Sequence, residues 1–182
     1  MTYSGPPVVM GLDVAYAHVG LVMVTFDGNV VYQQCISTEK DSTVKRVADD
    51  TVRRCSYIAM ELQNAISIFG PIGAFAELPT GASQSASSAY AMGLGTGVIV
   101  SVLGLNVIPT EYVTPIAVKK ATHGTNKATK QEVQAAVAKL FKWNEWTKKA
   151  GDREHICDAA GAVRAGMKGK LWQELWGQWD VA

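Results

Sequence analysis

The chain has 182 residues, of which 48% are hydrophobic, 18% charged and 8% aromatic, with a formal net charge of +1. That is apolar material for a genuine core of ordinary domain size and excludes a disordered or fibrous chain, so one soluble α/β domain over 1–182 is expected, with a Trp-rich tail from about 168. Cys35, Cys55 and Cys157 are widely spaced and form no CxxC pair, which argues against a disulfide framework or structural zinc and for a reducing cytoplasm; Met1 to Pro7 lacks the basic start and apolar core of a signal peptide.

Val8 to Leu12 is a continuous apolar run that ends on Asp13, the pattern of a central strand delivering a carboxylate to the sheet edge. Gly20 to Phe26 and Val30 to Ile36 follow around Asp27-Gly28-Asn29, a hairpin signal, so three antiparallel strands are expected. From Ser42 to Phe69 apolar residues, among them Val44, Val47, Val52, Ile58, Leu62 and Ile66, recur at three- and four-residue steps as on one helix face. Gly70 and Pro71 stop that helix, and Ile72 to Ala76 reads as a buried strand ending on Glu77.

Leu78 to Thr110 carries no charge and raises the question of a membrane span, but its Ser-rich opening and the breaks at Gly104 and Asn106 favour a buried helix followed by a strand. Ser83 or Ser85 would cap that helix, Gly104 would close it, and the strand would be Leu105 to Pro109. Thr114 precedes a short helix at Pro115, Thr129 another through Leu140, and a last helix is expected from near Asp152 past Val163. The predicted order is β-β-β-α-β-α-β-α, a five-stranded mixed sheet flanked by helices. Glycines 93, 95 and 97 lack the strand-turn-helix context of a dinucleotide-binding loop and suit close helix packing better. The tail places Trp172, Trp176 and Trp179 on one helical face, suited to packing on its own core or on a partner.

Acidic residues at the ends of apolar strands cost desolvation energy unless a cation or hydrogen bonds compensate, which singles out Asp13 and Glu77. His155 and Asp158 are three apart and share a helix face, so the four together offer an oxygen-rich set with one imidazole, suited to Mg²⁺ or Mn²⁺. Asp152 and Glu154 are weaker candidates, since a helix start favours acids in any case. Between 119 and 150 eight lysines, Lys119, Lys127 and Lys130 among them, face only Glu132 and Glu145, which predicts a locally basic surface.

Val-Met-Gly-Leu-Asp13 before a hairpin, Phe-Ala-Glu77 ending a strand and His155-Ile-Cys-Asp158-Ala-Ala on a helix together resemble the RuvC family of Holliday-junction resolvases. The likeness runs from about Val8 to Gly166 and includes Gly124 to Gln134, which looks like the family's basic junction-binding segment. It implies a ribonuclease H-like fold, a homodimer acting on four-way DNA junctions, and a catalytic site where Asp13, Glu77, His155 and Asp158 bind two divalent ions, with Lys119, Lys127 and Lys130 holding the DNA backbone. The position of His155 is an acid or a histidine in the family. One departure is that the family carries a base-stacking aromatic shortly after its glutamate, whereas Leu78-Pro79-Thr80-Gly81 stands here and Tyr90 lies further along. Sugar-kinase or actin-like ATPases share the opening strand, Asp and hairpin but need two such domains, and a non-catalytic branched-DNA-binding protein is the other alternative.

Overall fold

The computed structural model describes residues 2–78, 85–143, 147 and 149–179, with Gln178 and Trp179 as backbone only. Strands β1 (Val8–Asp13), β2 (His18–Thr25) and β3 (Asn29–Ser37) form an antiparallel meander. The hairpin between β2 and β3 turns at Gly28, whose φ of 83° explains the glycine. Helix α1 (Val47–Phe69) ends on Gly70 in the left-handed region and leads to β4 (Ala74–Glu77). Next come α2 (Ala86–Leu105), β5 (Thr110–Val113), α3 (Pro115–His123), α4 (Lys130–Leu140), β6 (Lys142–Trp143), α5 (Ala150–Gly166) and α6 (Lys170–Trp179). The expected caps form. Ser85 accepts from the Ser88 amide, Thr114 from Ala117, and Thr129 builds a capping box with Glu132.

The sheet has six strands in the order β5-β4-β1-β2-β3-β6, with β4, β5 and β6 parallel to their neighbours β1, β4 and β3. Five strands were expected. The sixth, β6, is a two-residue edge strand, too short to show a period of two in the sequence.

The strand expected at Leu105 to Pro109 lies instead at Thr110–Val113. Gly104 does not close α2, because Asn106 does: its side-chain amide donates to the Val102 carbonyl and exchanges two hydrogen bonds with Gln63 of α1. Val107 then takes a positive φ of 54° and is exposed. The strand itself sits at the sheet edge, which explains its polar sequence Thr-Glu-Tyr-Val.

Side chains alternate across β1. Met10, Leu12 and Val14 enter a core with Ile58, Leu62 and Ile66 of α1 and Ile99 and Leu103 of α2. Val9 faces the other way, with Val22, Phe75 and the Ala159, Ala160 and Val163 surface of α5. Burial of both faces is why β1 reads as an unbroken apolar run. Two expectations fail on the α1–α2 side. Helix α1 begins at Val47 rather than Ser42, and Val47 and Val52 are 72% and 65% exposed, so only the part from Ile58 onward covers the sheet. Helix α2 is not buried: only Gly95, Ile99, Val102 and Leu103 are, and an 18-residue window with apolar character enough for a membrane span is 17% buried. The tail packs on its own core, with Trp172 against Phe26 and Phe75, Trp176 against Phe26, and Leu175 buried; the side chain of Trp179 lies outside the described residues.

Candidate metal and DNA site

Asp13 and Glu77 are register partners across the parallel β1–β4 pair, so their carboxylates project from the same face one strand spacing apart. That face is the one α5 covers. The helix can lie close because its neighbours there are glycines: a Cβ on Gly20 would stand 2.0 Å from the His155 carbonyl oxygen, and one on Gly11 2.3 Å from that of Ala159. Close approach brings His155 and Asp158 over the strand ends. His155 Nδ1 lies 2.8 Å from Asp13 Oδ2, where the acceptor-only carboxylate requires the imidazole to donate. The two side chains are 25% and 17% exposed.

The electrostatics show a surplus of negative charge. Burial, then Asp158 and Asp13, push the Glu77 carboxyl up to about 8, against the opposing pull of Lys119. Burial, then Asp13 and Glu154, push Asp158 up to about 7. The Asp13 hydrogen bond raises His155 above its ordinary value despite partial burial. A dication would relieve this surplus, and three carboxylates with one imidazole are a donor set that suits Mg²⁺ or Mn²⁺. The donors adjoin one another without forming a finished cage: among the described residues no three His, Cys, Asp or Glu side chains are set to chelate an ion as they stand.

Glu77 and Asp158 open onto a cleft of about 290 Å³ that Lys119 of α3 and Lys130 of α4 also line. Lys130 is ion-paired with Glu154. Lys127 is exposed in the turn between α3 and α4 and does not line the cleft. Residues 79–84, where the base-stacking aromatic was missed and where Ser83 was a possible cap, lie outside the described residues. Tyr90 is exposed near the start of α2.

The profile of the family described as "Crossover junction endodeoxyribonuclease RuvC" matches residues 9–163. The chain belongs to the RuvC family. It is 30% identical over 164 residues to the RuvC crossover junction endodeoxyribonuclease of Finegoldia magna, covering 87% of this chain and 90% of that one. The RuvC of Pseudothermotoga lettingae is 26% identical over 144 residues, 78% and 84% of the two chains. The fold matches T. thermophilus RuvC solved with a Holliday junction substrate, with a TM-score of 0.71 over 87% of this chain and 92% of that one at 21% identity. With RuvC membership the ATPase alternative falls.

Four further residues contribute that sequence reasoning missed or ranked low: Gly11, Gly20, Glu154 and His18. Gly11 and Gly20 make room for α5, and their signal was present as glycines at odd positions in otherwise apolar strands. Glu154 was discounted as a helix-start acid but holds Lys130. His18 stacks on His155, and only the hairpin register reveals it.

Proposed function

We propose that this chain is a structure-selective DNA endonuclease that resolves Holliday junctions and related branched DNA by paired symmetric nicks, working as a homodimer with two divalent cations, Mg²⁺ or Mn²⁺, at each site. The observation that carries the chemistry is the pairing of Asp13 with Glu77 in register beneath His155 and Asp158. Asp13, Glu77, His155 and Asp158 would hold such cations, whose chemistry would be to activate water at neutral pH and to offset charge on the phosphorus and the leaving oxygen.

Within the chain, Asp13 stands between Glu77 on one side and His155 on the other, so it would hold the cations together with both. Glu77 faces the cleft with Lys119, where its carboxylate would hold a cation beside the phosphate that the lysine contacts. Lys119 and Lys130 hold phosphate oxygens at the cleft mouth, and Lys127 extends that basic edge outward. The three free cysteines suit a reducing cytoplasm. Incubation with synthetic four-way, three-way and linear duplex DNA in Mg²⁺ and Mn²⁺, with cuts mapped on every strand, tests the reading. Symmetric paired cuts in the four-way substrate are expected, and equal cutting of linear duplex would refute it.

Replacing Lys119, Lys127 and Lys130 together by Ala is expected to weaken junction binding and flatten its salt dependence by roughly one unit of slope per lost phosphate contact. Thermal stability should change little, because all three lie at the surface of α3, α4 and their connection. An unchanged slope in the triple variant would make this segment an ordinary solvated surface.

The dimer is assigned to α2. Its outer face is uncharged, Gly93 and Gly97 have open space where a Cβ would stand, and with Cys55 and Ala59 of α1 it flanks an open apolar groove. A four-way junction has approximate twofold symmetry, so a twofold pair of chains presents two equal sites to two strands of like polarity. Gly97→Glu is expected to give a folded monomer that nicks singly. Sedimentation checks this, and a G97E variant that remains dimeric would place the interface elsewhere.

A further inference from the structure

His18 opens β2 and pairs in register with Ser37 of β3. Its Nδ1 lies 3.1 Å from Ser37 Oγ. Its ring stacks on that of His155, with centroids 5.1 Å apart and planes inclined by 23°. His155 in turn meets Asp13 through Nδ1. Ser37, His18, His155 and Asp13 therefore form a continuous run of contacts from the hairpin to the strand end.

We propose that His18 is a positioning residue, whose ring face fixes the plane of His155 so that Nδ1 stays aimed at Asp13. The inference rests on the reading of His155 and Asp13 as cation ligands. Helix α5 fixes only where the Cα–Cβ bond of His155 points. The next torsion of histidine is broad and roughly twofold, and this side chain is a quarter exposed, so backbone placement leaves the ring free to turn. A ligand imidazole is ordinarily oriented by a group outside the ligand shell, most often through its second nitrogen. Here Asp13 engages Nδ1, and the flat neighbouring ring of His18 adds a second restraint on the plane of His155. Ser37 holds that ring across the hairpin, and Gly20, two residues on and on the same face, leaves the space that lets α5 bring His155 against it.

The test is Mn²⁺ affinity of the full chain, read from the electron-spin resonance of free Mn²⁺, beside junction nicking. His18→Ala is expected to weaken Mn²⁺ binding by roughly tenfold, within the range such outer groups command, and His18→Phe, which keeps the planar face, should restore it to within about twofold. His18→Leu fills the volume without a planar face, so it should bind as weakly as H18A and replaces it if that variant fails to fold. Wild-type affinity in H18A or H18L overturns the proposal, and so does a folded H18F as weak as either. Asp13→Asn separates the two levels: unchanged Mn²⁺ binding in D13N refutes the cation site itself, whereas lost binding in D13N with normal binding in H18L refutes only the positioning role.

Discussion

Glu77→Gln is expected to lower nicking of a four-way junction in Mg²⁺ by at least about 10³-fold, the scale of several kcal/mol of charge stabilisation, while junction binding measured in Ca²⁺ stays intact or tightens. The substitution keeps the side chain's size and its place opposite Asp13 on β4 but removes one ligand charge. On the proposed reading affinity for DNA comes mainly from lysine contacts to phosphates, and removal of a negative charge beside the backbone can only ease it. The same residue predicts a pH dependence. Glu77 at about 8 and Asp158 at about 7 carry protons below neutrality in the cation-free protein. A cation must displace those protons, so Mn²⁺ affinity should rise with pH through this window, and E77Q should lose the upper part of the rise. Folding runs the other way. A carboxyl raised in the folded state contributes stability fully below its ordinary acidic value, and that contribution is lost as pH climbs through the folded value. In chelator the melting temperature should therefore fall towards pH 8, and added Mg²⁺ should reverse the fall. Substantial nicking by E77Q in both Mg²⁺ and Mn²⁺ would leave Glu77 a structural strand-end residue.

The site was legible in sequence to the extent that chemistry and periodicity coincide. Asp13 and Glu77 stood out because each ends a run of buried apolar residues, and such runs mark strands covered on both faces. Their pairing was not legible, since register between β1 and β4 is set by packing across the whole sheet. His155 and Asp158 were found as a helical pair, yet nothing local states that α5 crosses over Gly20, which is 135 positions away in the chain from His155. Helix α2 misled for a physical reason: an uncharged helix looks the same in sequence whether or not its own chain covers it. Likewise Gly104 carried a stop signal that only a left-handed conformation would have realised, and Asn106 ends the helix through its amide instead.

The second large effect belongs to Gly20. Gly20→Ala is expected to reduce nicking by about 10²-fold, the cost of an ångström-scale misplacement of reacting groups, although residue 20 touches neither cation nor DNA. The added Cβ would stand 2.0 Å from the His155 carbonyl oxygen and 2.5 Å from its carbon. Both are backbone atoms, so no side-chain rotation can relieve the clash and α5 must lift from β2. Gly20 is also the register partner of Asp13, so the wedge between β2 and α5 opens beside the strand end that carries Asp13 and under the helix that carries the other proposed ligands, His155 and Asp158. Overpacking of this kind costs about 1–3 kcal/mol, which for a chain of this size lowers the melting temperature by several degrees. Serine should behave as alanine does, because it shares the same Cβ. Mn²⁺ affinity should fall with nicking, whereas junction binding in Ca²⁺, proposed to rest on lysines of α3, α4 and their connection, should hold. A folded G20A that nicks and binds Mn²⁺ like wild type would mean that α5 tolerates the displacement, and that the close seat of His155 over Asp13 is not what assembles the site.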